Sequence, residues 1–275
     1  MKGLPTCRRP DQRYIFFNFE SPINVAAKTL KIYDKLPSNY FNWTATYRLD
    51  SDLFRDEFYG FEFKQTNPYG NRPNFSDYYG INITTKNKTA AWFVSNCKTS
   101  VNREGYIEEL KKHIQVDVFG RCLEHSKSCP RKEQNKCDTM LKNEYFFYLS
   151  FENSFCPDYV TEKFYRALQT GTVPVVFGGA NYSLFAPPHS YINARDFRTP
   201  QLLAEYLFHL TQNLDLYSRY LDWRGEMNMY RPSTEPWCNL CKMMNDPNQE
   251  TKSYADIKKW WFDEHPCENY SFKKT

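Results

Sequence analysis

The chain has 275 residues, 41% of them hydrophobic and 18% aromatic, and its net charge at pH 7 is only +4. A chain of this composition can bury a large core, which excludes wholesale disorder, and its length fits two domains. Acidic and basic residues are interspersed without a long basic run, which argues against nucleic-acid binding. No run of apolar residues approaches the 18 that a membrane-spanning helix needs.

Cysteine content and glycosylation signals favour the secretory pathway. Residues 1–10 are polar and lack the apolar core of a signal peptide, which taken alone would favour the cytosol. The chain nevertheless has nine cysteines and six Asn-X-Ser/Thr sequences. We therefore expect a luminal protein whose targeting segment lies outside this sequence. The six acceptor asparagines are Asn42, Asn74, Asn82, Asn87, Asn181 and Asn269.

The first third of the chain predicts a small domain with few regular elements. Residues 13–19 and 42–49 are aromatic and β-branched and predict buried strands. Residues 59–79 are rich in Gly, Pro and Asn and predict an irregular loop. The composition becomes polar over residues 82–88, so we place a domain boundary there and assign residues 1–85 to a first domain.

Strands and helices alternate regularly in the second domain, residues 86–275. This rhythm predicts a parallel sheet in a doubly wound α/β domain, with ligands beyond the carboxyl ends of the strands. Those ends fall at Ser95-Asn96, Phe151–Asn153 and Gly178-Gly179. The predicted strands are residues 90–94, 115–119, 145–151 and 173–177, and the predicted helices are 102–114, 161–169 and 200–212.

The strand, loop and helix between residues 147 and 163 carry the polar residues of greatest interest. Asp158 or Thr161 can cap the helix, whose first turn contains Glu162 and Lys163. A helix start with a lysine can bind a diphosphate, and a carboxylate beside it can accept ribose hydroxyls. The alternative is an ordinary surface helix with a solvated Glu-Lys pair. The segment is neither a P-loop nor a dinucleotide fingerprint.

The run FYLSFENSFCPDYVTEKFYRALQTGTVPVVFGG, residues 147–179, closely resembles the signature of the α1,3/α1,4-fucosyltransferases, glycosyltransferase family 10. The resemblance implies an α/β fold of the GT-B type, with two facing Rossmann-like domains. The N-terminal, acceptor-binding domain would be incomplete here, and the C-terminal domain would bind GDP-fucose and carry a disulfide-rich tail. Further matches follow in family order: NFESP, NWTATYRLDSD, AWFVSNC, VDVFGRC and WCNLC.

In NFESP, the resemblance implies that Glu20 is the general base. An inverting transfer needs one carboxylate to take the proton of the acceptor hydroxyl on the face opposite the leaving nucleotide. A glutamate at the end of a buried strand suits that role. Without the resemblance, a glutamate that accepts backbone hydrogen bonds beside Pro22 would be the simpler interpretation.

The resemblance also implies a set of residues that bind the donor. Arg103 and Lys163 would hold the diphosphate, because a guanidinium binds phosphate oxygens in pairs and both cations offset charge on the leaving GDP. Glu162 would bind the ribose, and Asn153 and Tyr159 match further donor positions. Such cations imply that no divalent metal is essential, although one can stimulate activity.

The register around Arg103 departs from the family pattern. Family members often carry a tyrosine four residues after the arginine, whereas Tyr106 follows by three. The family pattern therefore supports the role of Arg103 less closely than it supports the role of Lys163.

The C-terminal cysteines allow two interpretations. Cys238, Cys241, His265 and Cys267 could bind zinc in a cytosolic protein, whereas in a lumen the cysteines would form disulfides. The resemblance favours disulfides that tie down the C-x-x-C region. The pairing itself is not readable from the sequence.

Which sugar accepts the fucose depends on the branch of the family to which the chain belongs. Two features look more like those of enzymes that fucosylate the innermost GlcNAc of N-glycans. One is the Ser95-Asn96-Cys97 variant, followed by Asn102 and an arginine. The other is Cys156, in the loop that precedes the helix carrying Glu162 and Lys163. The alternative is a Lewis-type enzyme that acts on N-acetyllactosamine antennae. Outside this class, the chain could be another nucleotide-sugar transferase, an inactive fragment or a glycan-binding relative.

The expected partners are GDP-fucose and an N-glycan or glycoprotein acceptor. The expected parent protein is a type II single-pass membrane protein with its catalytic part in the Golgi lumen. Its anchor, stem and first strands have no counterpart in this sequence.

Overall fold

The structure is a computed structural model that describes residues 7–25, 31–54, 60–65, 80–122, 126–231 and 236–273. No helix among these residues is both long and apolar enough to cross a membrane. The strands are β1 (Ile15–Asn18), β2 (Trp43–Thr46), β3 (Leu53–Phe54), β4 (Glu62–Gln65), β5 (Lys88–Val94), β6 (Val116–Gly120), β7 (Tyr145–Phe151), β8 (Val173–Phe177), β9 (Ile192–Asn193) and β10 (Met227–Tyr230). The helices are α1 (Arg103–Leu110), α2 (Gln134–Glu144), α3 (Glu162–Thr170), α4 (Pro200–Gln212), α5 (Leu214–Ser218), α6 (Pro236–Asn245) and a π-helical turn, Lys259–Asp263.

A five-stranded parallel sheet in the order β6-β5-β7-β8-β9 forms the larger half. Every residue of the central strand β7 is buried, because helices cover both faces of the sheet. Helices α1 and α4 pack together against one face, and α2 and α3 against the other. The predicted doubly wound α/β arrangement is therefore confirmed.

A smaller parallel sheet, in the order β1-β2-β3, forms the N-terminal half. Its aromatic core includes Phe16 of β1 and both Trp260 and Trp261 of the π-helical turn, with the Phe16 and Trp261 ring centroids 5.2 Å apart. The buried guanidinium of Arg48 donates to the carbonyl of Trp260. The C-terminal segment thus returns to the N-terminal half, and the boundary near residue 85 stays a prediction.

Three segments differ from what the sequence predicts. The helix predicted over residues 102–114 begins at Arg103 and ends at Leu110, with Asn102 as its cap. Within the predicted loop 59–79, residues 62–65 form β4, which pairs antiparallel with β10, while residues 59 and 66–79 lie outside the described residues. Helix α2 was not predicted, because only Cys137 and Leu141 are buried and no apolar period is visible.

The cysteines form the three disulfides Cys97–Cys122, Cys129–Cys137 and Cys156–Cys267. The expectation that the C-x-x-C region is itself bridged is wrong for the described residues, since Cys238 and Cys241 are exposed free thiols. These two cysteines are the third and sixth residues of α6. The C-terminal tail is fixed instead through Cys267.

The six glycosylation sequences differ in their exposure. Asn42 is buried, its Oδ1 accepts from the backbone N–H of Tyr14 at 3.0 Å, and its Nδ2 donates to the carbonyl of Lys252 at 2.9 Å. The folded chain therefore has no room for a glycan at Asn42. Asn74 lies outside the described residues. The exposed acceptors are Asn82, Asn87, Asn181 and Asn269.

Replacing Asn42 by Ala should lower the free energy of unfolding by about 1–3 kcal/mol, because the part-buried N–H of Tyr14 and carbonyl of Lys252 lose their partner. Asn87→Ala is the matched control, since it removes an exposed acceptor and should change stability by less than about 0.5 kcal/mol. Denaturant unfolding measures both. Mass spectrometry of the secreted protein should find Asn42 without a glycan. An N-glycan on folded Asn42, or equal stability of the two variants, would contradict this account.

Candidate active site

The loops that follow β5 and β7 border a cleft of about 890 Å³ at the carboxyl edge of the larger sheet. From β5 the chain moves outward to β6 and then returns to β7 on the other side of β5. The loops after β5 and β7 therefore diverge, and they leave a crevice between them. Crevices at such switch points are where open parallel sheets bind their ligands.

Arg103, the first residue of α1, lies at the floor of this cleft and is 2% exposed. Its Nη1 donates to the carbonyl of Phe151 at 2.6 Å, and its Nη2 donates to the carbonyl of Asn96 at 3.2 Å. The guanidinium thus joins the end of β7 to the loop after β5. Because a guanidinium has five N–H donors, these two bonds leave others available to a ligand.

Lys163 is fixed by oxygen atoms at the start of α3. Its Nζ lies 2.7 Å from Thr161 Oγ1, 3.3 Å from Glu152 Oε2 and 3.4 Å from Glu162 Oε1. Burial by itself lowers the pKa of the ammonium, but the carboxylates of Glu152 and Glu162 outweigh burial and hold that pKa above its ordinary value. Lys163 is therefore a permanent cation at neutral pH.

The buried carboxylate of Glu152 organises the start of α3. It accepts the backbone N–H of Thr161 at 2.8 Å and the hydroxyl of Thr161 at 2.9 Å. Thr161 occupies the helix cap position, yet its hydroxyl bonds Glu152 and not a helix N–H. Asp158, the other predicted cap, has a left-handed backbone with φ of 59° and accepts from the backbone N–H of Leu49 at 3.2 Å.

Glu162 and Asn153 lie at the wall of the same cleft. Burial opposes ionisation of Glu162, but the Lys163 ammonium and the backbone N–H of Glu162 hold the pKa of its carboxyl below the ordinary value. An ionised carboxylate of this kind accepts hydrogen bonds from sugar hydroxyls. Asn153 Oδ1 accepts from Ser154 Oγ at 3.3 Å, which leaves its amide N–H groups available to a ligand.

Glu20 brings the N-terminal half to the cleft. It follows β1 and is exposed in the cleft, where its Oε2 lies 3.4 Å from the hydroxyl of Tyr159. The two halves meet beside it, since Ser21 Oγ lies 2.6 Å from Ser154 Oγ. Burial, followed by the charges of Glu152 and Glu20, raises the pKa of the Tyr159 phenol. Tyr159 therefore stays protonated and donates to Glu20.

The C-terminal tail fixes the loop between β7 and α3 from behind. Cys267 is bonded to Cys156 of that loop, and the backbone N–H of Glu268 donates to the carbonyl of Phe155 at 2.7 Å. The Glu268 carboxylate also pairs with Arg195 at 2.6 Å. A loop held by a disulfide, a backbone bond and an ion pair keeps its polar side chains in place before a ligand arrives.

The six residues that the sequence assigns to the site, Glu20, Arg103, Asn153, Tyr159, Glu162 and Lys163, all line this one cleft. The glycines after β8, also predicted at the ligand edge, do not line it. A Cβ at Gly179 would lie 2.5 Å from the Phe155 backbone, so this glycine permits close packing of the loop between β7 and α3.

Sequence reasoning missed Glu152 and Arg166. Glu152 is a carboxylate placed directly after seven buried strand residues, and that position at a strand's carboxyl end was the available signal. Arg166 lines the cleft one turn after Lys163, with its Nε 3.4 Å from Asp138 Oδ1. Residues three apart on a helix lie on the same face, so the positions of Lys163 and Arg166 indicated this second cation.

The zinc alternative does not fit the C-terminal cysteines. Cys267, one of its four proposed ligands, is bonded to Cys156 and has no thiolate to offer. The described part of the chain contains no group of three or more His, Cys, Asp or Glu side chains arranged to hold a metal ion.

Replacing Glu152 by Gln should lower the free energy of unfolding by about 1–3 kcal/mol, because the amide places a donor against Thr161 and Lys163 inside a buried site. Glu162→Gln is the matched control. Its carboxylate is 62% exposed, so it should change stability by less than about 0.5 kcal/mol. Denaturant unfolding without reductant compares the two variants, and equal midpoints would contradict the role given to Glu152.

Two family models match the chain. The model described as "Glycosyltransferase family 10 (fucosyltransferase) C-term" matches residues 83–260, and the one described as "Fucosyltransferase, N-terminal" matches residues 1–59. The first alone covers more than half of the chain, and it contains Arg103, Glu152 and Lys163.

Curated relatives carry names of the same kind. "Alpha-(1,3)-fucosyltransferase C" of Drosophila melanogaster is 39% identical over 95% of this chain and 62% of its own length. "Glycoprotein 3-alpha-L-fucosyltransferase A" of the same fly is 35% identical over 98% of this chain and 52% of its own length. "Alpha-(1,3)-fucosyltransferase 4" of Homo sapiens is 37% identical over 92% and 46%. The chain thus spans about half to two thirds of their length.

Solved structures share the fold. The structure titled "Crystal Structure of alpha1,3-Fucosyltransferase with GDP-fucose" matches 90% of this chain and 78% of its own, with a TM-score of 0.57 and 16% identity. A second, titled as the complex with GDP, matches 90% and 71% with a TM-score of 0.50 and 16% identity. The predicted α/β fold of the GT-B type is confirmed. With both family models matched in order along the chain, this protein belongs to glycosyltransferase family 10, the fucosyltransferases.

Proposed function

We propose that this chain is the catalytic part of an inverting α1,3-fucosyltransferase that moves L-fucose from GDP-fucose onto a sugar hydroxyl. The observation that carries the proposal is a single cleft lined by two exposed carboxylates, Glu20 and Glu162, and by the fixed cations Arg103 and Lys163. The names of the curated relatives support the same reaction.

The donor binds, in this proposal, between the loop after β5 and the start of α3. Arg103 and Lys163 take the diphosphate oxygens, Glu162 accepts from the ribose hydroxyls, and Asn153 and Tyr159 complete the donor contacts. Their cleft position and fixed orientation support these roles. As the bond between fucose and GDP breaks, charge builds on the departing phosphate, and the two cations stabilise it most in the transition state.

The transfer itself is one in-line displacement. Glu20 takes the proton of the acceptor hydroxyl while that oxygen attacks the anomeric carbon, and GDP leaves on the opposite face with the bonding electron pair. The hydroxyl of Tyr159, 3.4 Å from Glu20 Oε2, orients the carboxylate. Since Arg103 and Lys163 supply positive charge at the leaving group, we propose that no divalent metal is essential.

Two variants should separate donor binding from transfer. Lys163→Ala should weaken GDP binding by about 10- to 100-fold, the effect of losing a charge-assisted hydrogen bond. Glu20→Gln should leave GDP affinity unchanged and lower the rate of transfer by about 10²- to 10⁴-fold, because only the proton acceptor is lost. Calorimetry with GDP and a radiolabelled fucose assay measure the two effects.

The control for Lys163 is Lys111→Ala, an exposed lysine that does not line the cleft. It should change neither quantity. Normal turnover by Glu20→Gln would overturn the assignment of the base. GDP affinity unchanged by Lys163→Ala would overturn the donor site.

The acceptor in our proposal is the innermost GlcNAc of an N-glycan, fucosylated in α1,3 linkage. The branch-specific cysteines support it, since Cys97 and Cys156 are both bonded in loops at the edge of the cleft. The Lewis-type alternative remains open. Overall identity does not separate the two, because the fly "Glycoprotein 3-alpha-L-fucosyltransferase A" is 35% identical and a bovine "3-galactosyl-N-acetylglucosaminide 4-alpha-L-fucosyltransferase FUT3" is 38% identical.

A competition assay tests the acceptor. We expect radiolabelled fucose to pass from GDP-fucose to a core N-glycan peptide and not to N-acetyllactosamine when both are offered together. Transfer to lactosamine alone would retain the enzyme and overturn the branch. Absence of transfer to either by this chain, and by a longer chain with more of the family's N-terminal region, would favour a glycan-binding relative.

The proposed place of action is the Golgi lumen, with the parent protein anchored in the membrane. Three disulfides in the described residues support an oxidising compartment. Four exposed Asn-X-Ser/Thr sequences agree with passage through the secretory pathway.

A further inference from the structure

A row of three aromatic side chains leads from the cleft to the protein surface. Phe19 lines the cleft beside Glu20, and its ring meets that of Phe17 edge to face with centroids 4.7 Å apart. The Phe17 ring in turn stacks on Trp237 of α6, with centroids 6.0 Å apart and planes inclined by only 21°. We call Phe17, Phe19 and Trp237 the aromatic shelf.

Two of the three rings of the shelf are about half exposed. Phe17 is 51% exposed and Trp237 is 55% exposed, although both are large apolar side chains. Exposed and contiguous aromatic rings next to a cleft are typical of binding surfaces. Phe19 joins the shelf to the cleft, so a ligand that lies on the shelf also reaches Glu20.

We propose that the aromatic shelf binds the pyranose ring next to the acceptor sugar whose hydroxyl Glu20 deprotonates, an inference that rests on the proposed function. One face of a pyranose presents C–H groups and packs on an aromatic ring, while its edge presents hydroxyls that need polar partners. Glu20 and Asn24 line the cleft where the shelf begins and supply such partners. The shelf therefore fits a sugar better than a purely apolar ligand.

The shelf also draws on both ends of the chain. Phe17 and Phe19 belong to β1 and the turn after it, whereas Trp237 belongs to α6, more than 200 residues later. The shelf thus exists only when these two segments are packed together.

The test compares a long and a short acceptor. Trp237→Ala should raise KM for a chitobiose-containing N-glycan peptide by roughly 3- to 10-fold, the effect of losing one aromatic stacking contact. KM for the monosaccharide methyl β-GlcNAc, which lacks the neighbouring sugar, should stay unchanged, as should KM for GDP-fucose. Trp237→Phe should recover most of the preference for the longer acceptor. The matched control is Phe208→Ala on α4, 56% exposed, which should alter none of these values.

Several results would overturn the proposal. KM for the peptide equal to that of the wild type would show that no sugar rests on Trp237. An equal rise in KM for both acceptors would indicate a structural effect, and a change in solution mass with Trp237→Ala would identify the surface as an interface between copies.

If the wild type transfers no fucose, the proposed function fails independently of the shelf. The shelf is then tested by tryptophan fluorescence with the glycan peptide, and the proposal fails if Trp237→Phe leaves the fluorescence change intact.

Discussion

The hydrogen bonds of the Glu152 carboxylate to the start of α3 fix the positions of Thr161 and Lys163 in the cleft. Glu152 is fully buried, and its backbone N–H donates to the carbonyl of Phe177 in the next strand at 2.9 Å. Its carboxylate is compensated by the N–H and hydroxyl of Thr161 and by the ammonium of Lys163. An unpaired carboxylate at such depth would cost several kcal/mol, about as much as a large part of a domain's stability. Strand end, helix start and ammonium therefore fold as one unit.

Covalent links join the loops around this unit. All three disulfides join loops or helix starts on the carboxyl side of the larger sheet, and Cys129 itself lines the cleft. The bond between Cys156 and Cys267 also connects the two halves. It joins the loop between β7 and α3 to the C-terminal tail, and the residues before that tail pack on the N-terminal sheet. The two halves are thereby coupled through the loop that both need.

The sequence predicted the larger sheet well because its strands are continuous apolar runs bounded by polar residues, and β7 is the clearest example. It predicted Lys163 and Glu162 because a helix start with a cation follows such a strand. It did not predict Glu152, because the position at a strand's carboxyl end indicates a site but does not identify Thr161 and Lys163 as partners of the carboxylate. It missed β4, whose residues are mostly exposed and whose pairing with β10 spans more than 160 residues. Disulfide pairing and the return of Trp260 are equally non-local.

The charges around the cleft are largely balanced by partners within the protein. Lys163 is paired with Glu152 and Glu162, and Arg166 with Asp138, so the cleft is not strongly positive. In the proposed function, diphosphate binding would depend on cations already held in position more than on the net charge of the cleft. Such cations gain most when charge on the leaving phosphate is greatest, at the transition state, and less in the ground state. Tyr159, in the loop between β7 and α3, also contributes. Its neutral phenol donates a hydrogen bond to the Glu20 carboxylate without adding a charge.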